Sequence, residues 1–580
     1  MTGLRPLQPN GERQRRVLTR AIPLVAIAIV AFAAGVAVAV GPDSPEAERF
    51  LAAWERGDFA AMHAEITPEA QAEYPLERFR RLYEQAAETA TILSVETGEV
   101  SERDGAAVAR VDFDSYAFGA LGGELAVPIS ADKVAWAPNL VYPGLASDER
   151  LSRLTRVPRR APILAADGSA LARGPAAARS LDTAAAAVVG EVGTPTQAQA
   201  AELAVHGFPP GSLTGISGLE LAWNERLSGR PGGQLVAANA VEESEFGGGR
   251  VLATSEPVPG KSVRTTIDPA LQESAVSALG DLFGGVAVLD ARKGDVLAMA
   301  GIAYSSPQPP GSTFKVITAT AALDAGIVSL KDEFPVEVSN SLIGREIANA
   351  HDSPCGGTFA QTFAHSCNTV FAPLGAELGG KQLVETSELF GFNQTPQLFD
   401  PEATAVIDPP PSTIPVGLTE SVETGESAIG QGQVLATPLE MASVSQTIAN
   451  RGVRLPTPIA RTDELAPEGK PVKVTSKETA ATVRDLMVGV VEDGTGIAAA
   501  LPGVQVAGKT GTAELGPTAL STGDEGAGEA VQELDAWFTA FAPAGDPKLA
   551  VAVLVVDAGG DGGEIAAPIA AEVLSTGLGL

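Results

Sequence analysis

Ser312 and Lys315 stand three residues apart in PPGSTFKVITATAAL (309–323), where two prolines and a glycine turn the chain into an apolar helical pattern. Residues i and i+3 share a helix face, so the hydroxyl and the amine can lie side by side. A desolvated lysine beside a serine is one way to make a weak nucleophile attack. The same residues also suit a capped structural helix, and alone they leave both readings open. Two further stretches narrow the choice. HSCNTVF (365–371) sets Ser366 and Asn368 on either side of Cys367, and AGKTGTAE (507–514) strings Lys509, Thr510, Gly511 and Thr512 along a strand edge. A glycine there lets a ligand approach the backbone closely. Singly these are a polar turn and a solvated strand. Jointly and in this order they form the S-x-x-K, S-x-N and K-T-G set of serine acyl-transfer enzymes.

The elements that must carry these residues follow from periodicity. TTIDPALQESAVSAL (265–279) predicts a helix introduced by Asp268-Pro269, and GGVAVLDARKGDVLAMA (284–300) predicts a hairpin. A mostly helical stretch runs to about 500. Strands follow at VQVAGKTGTAE, LDAWFTAFAPA and KLAVAVLVVDAG, and GEIAAPIAAEVLSTGL closes the chain as a helix. Strands at both ends with helices between predict one antiparallel sheet flanked by helical layers. The Gly-, Ser- and acid-rich segment between Leu515 and Leu534 reads as a mobile loop.

Upstream, GPDSPEAERFLAAWERGDFAAMHAEI (41–66) has apolar residues at helical spacing, and from about 92 the pattern turns to strands. This predicts a small α+β domain over 44–150. Residues 155–260, rich in Ala, Gly and Pro, read as an extended linker domain whose Arg156, Arg159 and Arg160 are solvated or paired surface charges. The remaining 262–580 holds all three motifs.

With 580 residues the chain is too long for one core. A net charge of -31 leaves no basic stripe for nucleic acid. The four histidines (His63, His206, His351, His365) read as surface or core residues, and with two cysteines they show no metal-ligand spacing. No metal or other cofactor is expected. Cys355 and Cys367, twelve apart, permit a disulfide in an oxidising compartment, but the sequence does not supply their separation. Residues 21–40 are uncharged and long enough to cross a bilayer, with Arg13, Arg15, Arg16 and Arg20 just before them. This predicts a basic cytoplasmic tail over 1–20, a single-pass membrane anchor over 21–40, and a catalytic domain outside the cell membrane. A cleaved signal peptide ending at Ala37-Val38-Ala39 is the rival, but its apolar core would exceed the usual length.

On these motifs, with TTIDPALQ, SAIGQGQVLATPLEMA (427–442) and DAWFTAFAP (535–543), the chain resembles the class B, monofunctional penicillin-binding proteins. Residues 44–150, with VAWAPNLVYPGL (134–145), resemble the nuclear-transport-factor-like domain of the methicillin-resistance-type subgroup. Two departures stand out: at the linker start Arg160-Ala161-Pro162 and Ala166-Asp167-Gly168 replace an R-G and a D-R-x-G pattern, and the span between the second strand and Ser312, AGIAYSSPQPPG (300–311), is short beside many class B relatives.

The resemblance implies an α+β multidomain fold: a cone-shaped spacer domain, a dimerisation domain over 155–260, and a serine transpeptidase domain over 262–580. It implies a peptidoglycan D,D-transpeptidase with a minor carboxypeptidase activity, acting on cell-wall stem peptides, acylated by β-lactams and accompanied by a glycosyltransferase. Ser312 would be the nucleophile, Lys315 its neutral base, Ser366 the proton relay, and Asn368 would orient Lys315 and the substrate amide. Backbone N–H groups of Ser312 and Thr512 would form the oxyanion hole. Lys509, with the Thr510 and Thr512 hydroxyls, would attract the substrate carboxylate. Three rivals remain. A β-lactamase shares motifs, but the chain lacks an E-x-x-L-N type stretch; a β-lactam sensor needs further membrane spans; an inactive scaffold would not need these side chains. The first 155 residues are too few for a glycosyltransferase domain.

Overall fold

The computed structural model describes residues 44–103, 106–239, 249–400, 403, 406–460, 465, 469–514 and 534–580. The apolar segment 21–40 and the loop expected to be mobile after Glu514 lie outside them. Among the described residues no helix is long and apolar enough to cross a membrane.

Near the N-terminus, Thr67 and Asp58 cap short helices with their side-chain oxygens, and the helix Leu76–Ala90 follows. These helices pack on a four-stranded antiparallel sheet. In its strand Ala106–Ser115, residues 107, 109, 111, 113 and 115 are buried, the period of two expected of a half-buried strand. The core between the layers is aromatic: Phe50, Trp54, Phe79, Tyr83, Phe113 and Trp136. The Trp136 indole N–H donates to Tyr83 Oη at 2.9 Å, which satisfies two polar atoms inside it.

The strand Glu149–Arg156 pairs antiparallel with Gly232–Asn239 over eight residues. Leu235 and Ala237 of that second strand join the aromatic core, so chain from far downstream completes the N-terminal layer. The arginines expected at the surface behave differently from one another. Arg156 is exposed, whereas Arg160 is buried, with its guanidinium on Glu220 at 2.6 Å. Arg179 takes the other Glu220 oxygen at 2.7 Å. A buried carboxylate between two guanidiniums compensates the charges that burial would otherwise leave unpaired. The Trp223 indole N–H donates to Asp400 at 2.7 Å and fastens this region to the following domain.

The C-terminal domain is built on a five-stranded antiparallel sheet: β1 (Gly284–Asp290), β2 (Val296–Gly301), β3 (Ala507–Glu514), β4 (Leu534–Ala542) and β5 (Leu549–Val555), in the order β2-β1-β5-β4-β3. The expected hairpin, the late strands and their assembly from distant segments are all present. Val286, Val288, Val551, Val553 and Phe538 face the helices α1 (Pro269–Leu279) and α6 (Ala566–Leu578). Ala287, Leu289, Ala550, Ala552 and Leu554 face the other side, toward helix α5 (Pro438–Ala449), buried from Pro438 to Ile448. β5 is buried along its whole length, which explains its unbroken apolar run.

Among the described residues, the stretch expected to be mostly helical contains three small antiparallel pairs, Glu333–Glu337 with Cys355–Thr358, Ser339–Leu342 with Arg345–Ala348, and Val453–Arg454 with Val472–Lys473. Ile343 and Gly344 form the second hairpin's turn, with φ of +47° and +82°. Positive φ at both positions suits a tight hairpin, but isoleucine rarely signals one.

Candidate active site

Ser312 lies in a 3₁₀ turn, Gly311–Phe314, that runs directly into helix α2 (Lys315–Ala325). Residues three apart eclipse in such a turn, which sets Ser312 and Lys315 on one face. Lys315 is fully buried, and its Nζ donates to the Ser366 carbonyl at 2.8 Å and to Asn368 Oδ1 at 2.7 Å, with Ser366 Oγ at 3.3 Å. Burial, and then the neighbouring Lys509, hold its pKa well below the ordinary lysine value. A neutral amine has two hydrogens and one lone pair. The carbonyl and the amide oxygen take the hydrogens, so the lone pair is left for a hydroxyl proton.

Ser366 sits between helices α3 (Phe359–Ala364) and α4 (Asn368–Leu378). Its φ is +60°, a left-handed conformation that costs a non-glycine residue energy and recurs at functional sites. Cys367, the next residue, is bridged to Cys355 with Cα atoms 5.4 Å apart, which settles the pairing the sequence left open. Asn368 donates from Nδ2 to the Ala348 carbonyl at 2.9 Å, so its Oδ1 faces Lys315.

Lys509 comes from β3, the edge strand of the sheet. It too is fully buried, and its Nζ donates to Ser366 Oγ at 2.9 Å and to the Thr510 carbonyl at 3.1 Å. Burial pushes its pKa down to about 7. Phe363 and Phe371, 5.7 and 5.6 Å from the Lys509 and Lys315 amines, supply the apolar walls. Neither phenylalanine was singled out in the sequence, because each reads as ordinary helix core.

The structure therefore brings Lys315, Ser366, Asn368 and Lys509 into one hydrogen-bonded cluster, with Ser312 one helical turn before Lys315. Gly511 on β3 differs from expectation. A side chain there would meet the Pro310 carbonyl oxygen at 2.7 Å and the Thr313 methyl at 2.9 Å. The partner that approaches this glycine is thus the chain's own nucleophile turn. Strand alternation sets Thr510 and Thr512 on the face opposite Lys509 and Gly511, and Thr510 Oγ1 is bonded to Thr495 Oγ1 at 2.5 Å. Thr512 Oγ1 donates to Asp561 at 3.1 Å, a carboxylate in a Gly-rich loop that carried no signal of its own.

Residues 284–575 match the penicillin binding protein transpeptidase domain, and residues 178–265 match the penicillin-binding protein dimerisation domain. A peptidoglycan D,D-transpeptidase PbpA of Mycolicibacterium smegmatis is 33% identical over 412 residues, 59% of this chain and 77% of that protein. The PbpA of Mycobacterium tuberculosis is 32% identical over 382 residues, 62% of this chain and 70% of its own. Among solved structures, penicillin-binding protein A of M. tuberculosis aligns with a TM-score of 0.55 at 28% identity, covering 73% of this chain and 99% of that one. Its ceftriaxone acyl-enzyme complex aligns with a TM-score of 0.56 at 28% identity over 73% of this chain and 98% of that one.

Proposed function

The chain belongs to the penicillin-binding protein transpeptidase family, class B in type with a dimerisation domain before the transpeptidase, and from that premise we propose how it acts. It is a peptidoglycan D,D-transpeptidase that works through a serine acyl-enzyme and binds penicillin. Ser312 Oγ attacks the carbonyl carbon of the penultimate D-Ala of a stem peptide while Lys315 Nζ takes its proton. The C–N bond then breaks. The proton passes from Lys315 by Ser366 Oγ to the departing amine of the terminal D-Ala, leaving Ser312 acylated. An amine of a second stem repeats the steps in reverse and takes the acyl group. In a β-lactam the broken amide lies in a ring, so the leaving nitrogen stays tethered and the adduct persists.

Backbone N–H groups of Ser312 and Thr512 stabilise the oxyanion, a contribution typically worth several kcal/mol. Lys509 and the Thr510 and Thr512 hydroxyls receive the terminal carboxylate, the two hydroxyls being bonded to Thr495 and Asp561 before it arrives. The observation that carries this reading is the fully buried Lys315, bonded to Ser366 and Asn368, with its pKa held well below the ordinary lysine value by burial and by Lys509. A crosslinking assay with a pentapeptide stem and an acceptor amine tests it: D-Ala release coupled to dimer formation is expected, and neither product would reject it.

The finer roles rest on composition and likeness. Residues 44–150, four helices on a four-stranded sheet, serve as a nuclear-transport-factor-like spacer of the methicillin-resistance type. Residues 21–40 anchor the chain with its catalytic domain outside the cell membrane, beside a glycosyltransferase partner. Membrane fractionation of the chain with and without residues 1–42 tests the anchor.

A further inference from the structure

The Thr512 hydroxyl, which the reading above assigns to the substrate carboxylate, is already occupied. Its Oγ1 donates to Asp561 Oδ1 at 3.1 Å, so its only proton points at a protein carboxylate. The other oxygen, Asp561 Oδ2, accepts from His351 Nε2 at 2.6 Å. The two contacts come from opposite sides of the cleft. Asp561 belongs to the sheet side, between β5 and α6, and His351 follows the hairpin Ser339–Ala348 on the helical side. Ala348, three residues before His351, offers the carbonyl that holds Asn368. One segment thus orients a motif residue and reaches across to the carboxylate.

Asp561 is also fixed from its own side. A side chain at the adjacent Gly562 would meet the Trp537 and Gly511 carbonyl oxygens at 2.2 and 2.3 Å, so only glycine seats this loop so closely on β3 and β4. The Asp561 carbonyl further accepts from the N–H groups of Glu564 and Ile565 at 3.0 and 2.9 Å.

We propose that Asp561 is a specificity-determining residue that withholds the Thr512 hydroxyl from carboxylate ligands, with His351 as the pin that holds it across the cleft. A donor peptide or a penicillin must turn the Thr512 proton away from Asp561 before its own carboxylate can accept it. His351 and Asp561 are 65% and 32% exposed, so water competes for their hydrogen bond and the withheld bond costs ligands only a modest factor. The effect falls on binding: Asp561 tunes which ligands enter and leaves the acyl-transfer steps alone.

The inference rests on the proposed role of Thr512, and its test separates the two. The full chain and its Asp561→Asn, Thr512→Val and double variants are acylated by a fluorescent penicillin and by the methyl ester of the same compound. Asp561→Asn is isosteric, and thermal unfolding of each variant checks the fold. The expected result is a roughly five-fold faster second-order acylation by the penicillin in Asp561→Asn, an effect in the range of exchanging a charge-assisted hydrogen bond for a neutral one, since the amide oxygen still accepts but holds the Thr512 proton less tightly. The gain sits in the dissociation constant rather than the maximal rate, disappears in the Thr512→Val background and is absent with the ester. An unchanged or slower rate would overturn the proposal. So would a gain that survives in Thr512→Val or appears equally with the ester, since either marks a general field effect. Parent acylation that Thr512→Val leaves untouched would remove Thr512 from the carboxylate site. No adduct in the parent or any variant would reject the transpeptidase reading, and this inference with it.

Discussion

Lys315 and Lys509 share one oxygen: Ser366 Oγ lies 3.3 Å from the first amine and 2.9 Å from the second. Burial lowers the pKa of both amines, and the neighbouring Lys509 lowers that of Lys315 further. The account gives them opposite tasks, since Lys315 must be neutral to accept a proton and Lys509 must be charged to attract a carboxylate.

That division fixes the pH dependence. The rate of acylation rises with pH as Lys315 loses its proton, and its depressed pKa moves this limb far below the ordinary lysine range. It falls again as pH passes about 7, where Lys509 loses its charge in the free enzyme. A bound carboxylate raises the Lys509 value, so the alkaline limb moves upward at saturating ligand. Stopped-flow acylation between pH 5 and 9 measures both limbs. A second-order rate that climbs steadily through pH 9 would contradict the assignment of Lys509.

Glu220 holds the linker together. It is fully buried between Arg160 and Arg179, and burial holds the Arg160 pKa below its ordinary value. Glu220→Ala leaves two guanidiniums without a counter-charge and is expected to cost about 3–5 kcal/mol. Thermal or denaturant unfolding should show the loss, and Glu220→Gln should recover part of it by keeping the hydrogen bonds. A change below about 1 kcal/mol would place the pair outside the stabilising core.

The Cys355–Cys367 bridge ties the strand Cys355–Thr358 to the turn that presents Ser366. The paired Cys→Ser variant is expected to lose about 2–4 kcal/mol of stability. Acylation should slow as well, because the left-handed Ser366 loses its tether. Mass spectrometry of the non-reduced protein gives the direct check: two free thiols would remove the bridge from the account.

How much of this was legible depends on distance along the chain. The strands of the C-terminal sheet, the Asp268-capped helix and the three motifs each lie within a dozen residues and carry their own periodicity or spacing. Arg160 and Glu220 stand 60 residues apart, and a surface arginine reads the same as a buried one until its partner is placed. The pairing of Glu149–Arg156 with Gly232–Asn239 is hidden for the same reason. The site divides along that line too. Motif spacing named Ser312, Lys315, Ser366, Asn368 and Lys509, but their hydrogen bonds span up to 143 residues. Thr495 and Asp561 entered only through folding, as the partners of Thr510 and Thr512, and Gly511 made room for the nucleophile turn.

The central claim is that Ser312 is acylated, and one measurement addresses it most directly. The purified full chain and its Ser312→Ala variant are incubated with a fluorescent penicillin, and the covalent adduct is followed by denaturing gel and by mass spectrometry of the labelled peptide over hours. The account predicts a long-lived adduct on Ser312 in the parent and none in the variant. An adduct that persists in Ser312→Ala, or one that turns over rapidly with release of hydrolysed drug, would contradict it.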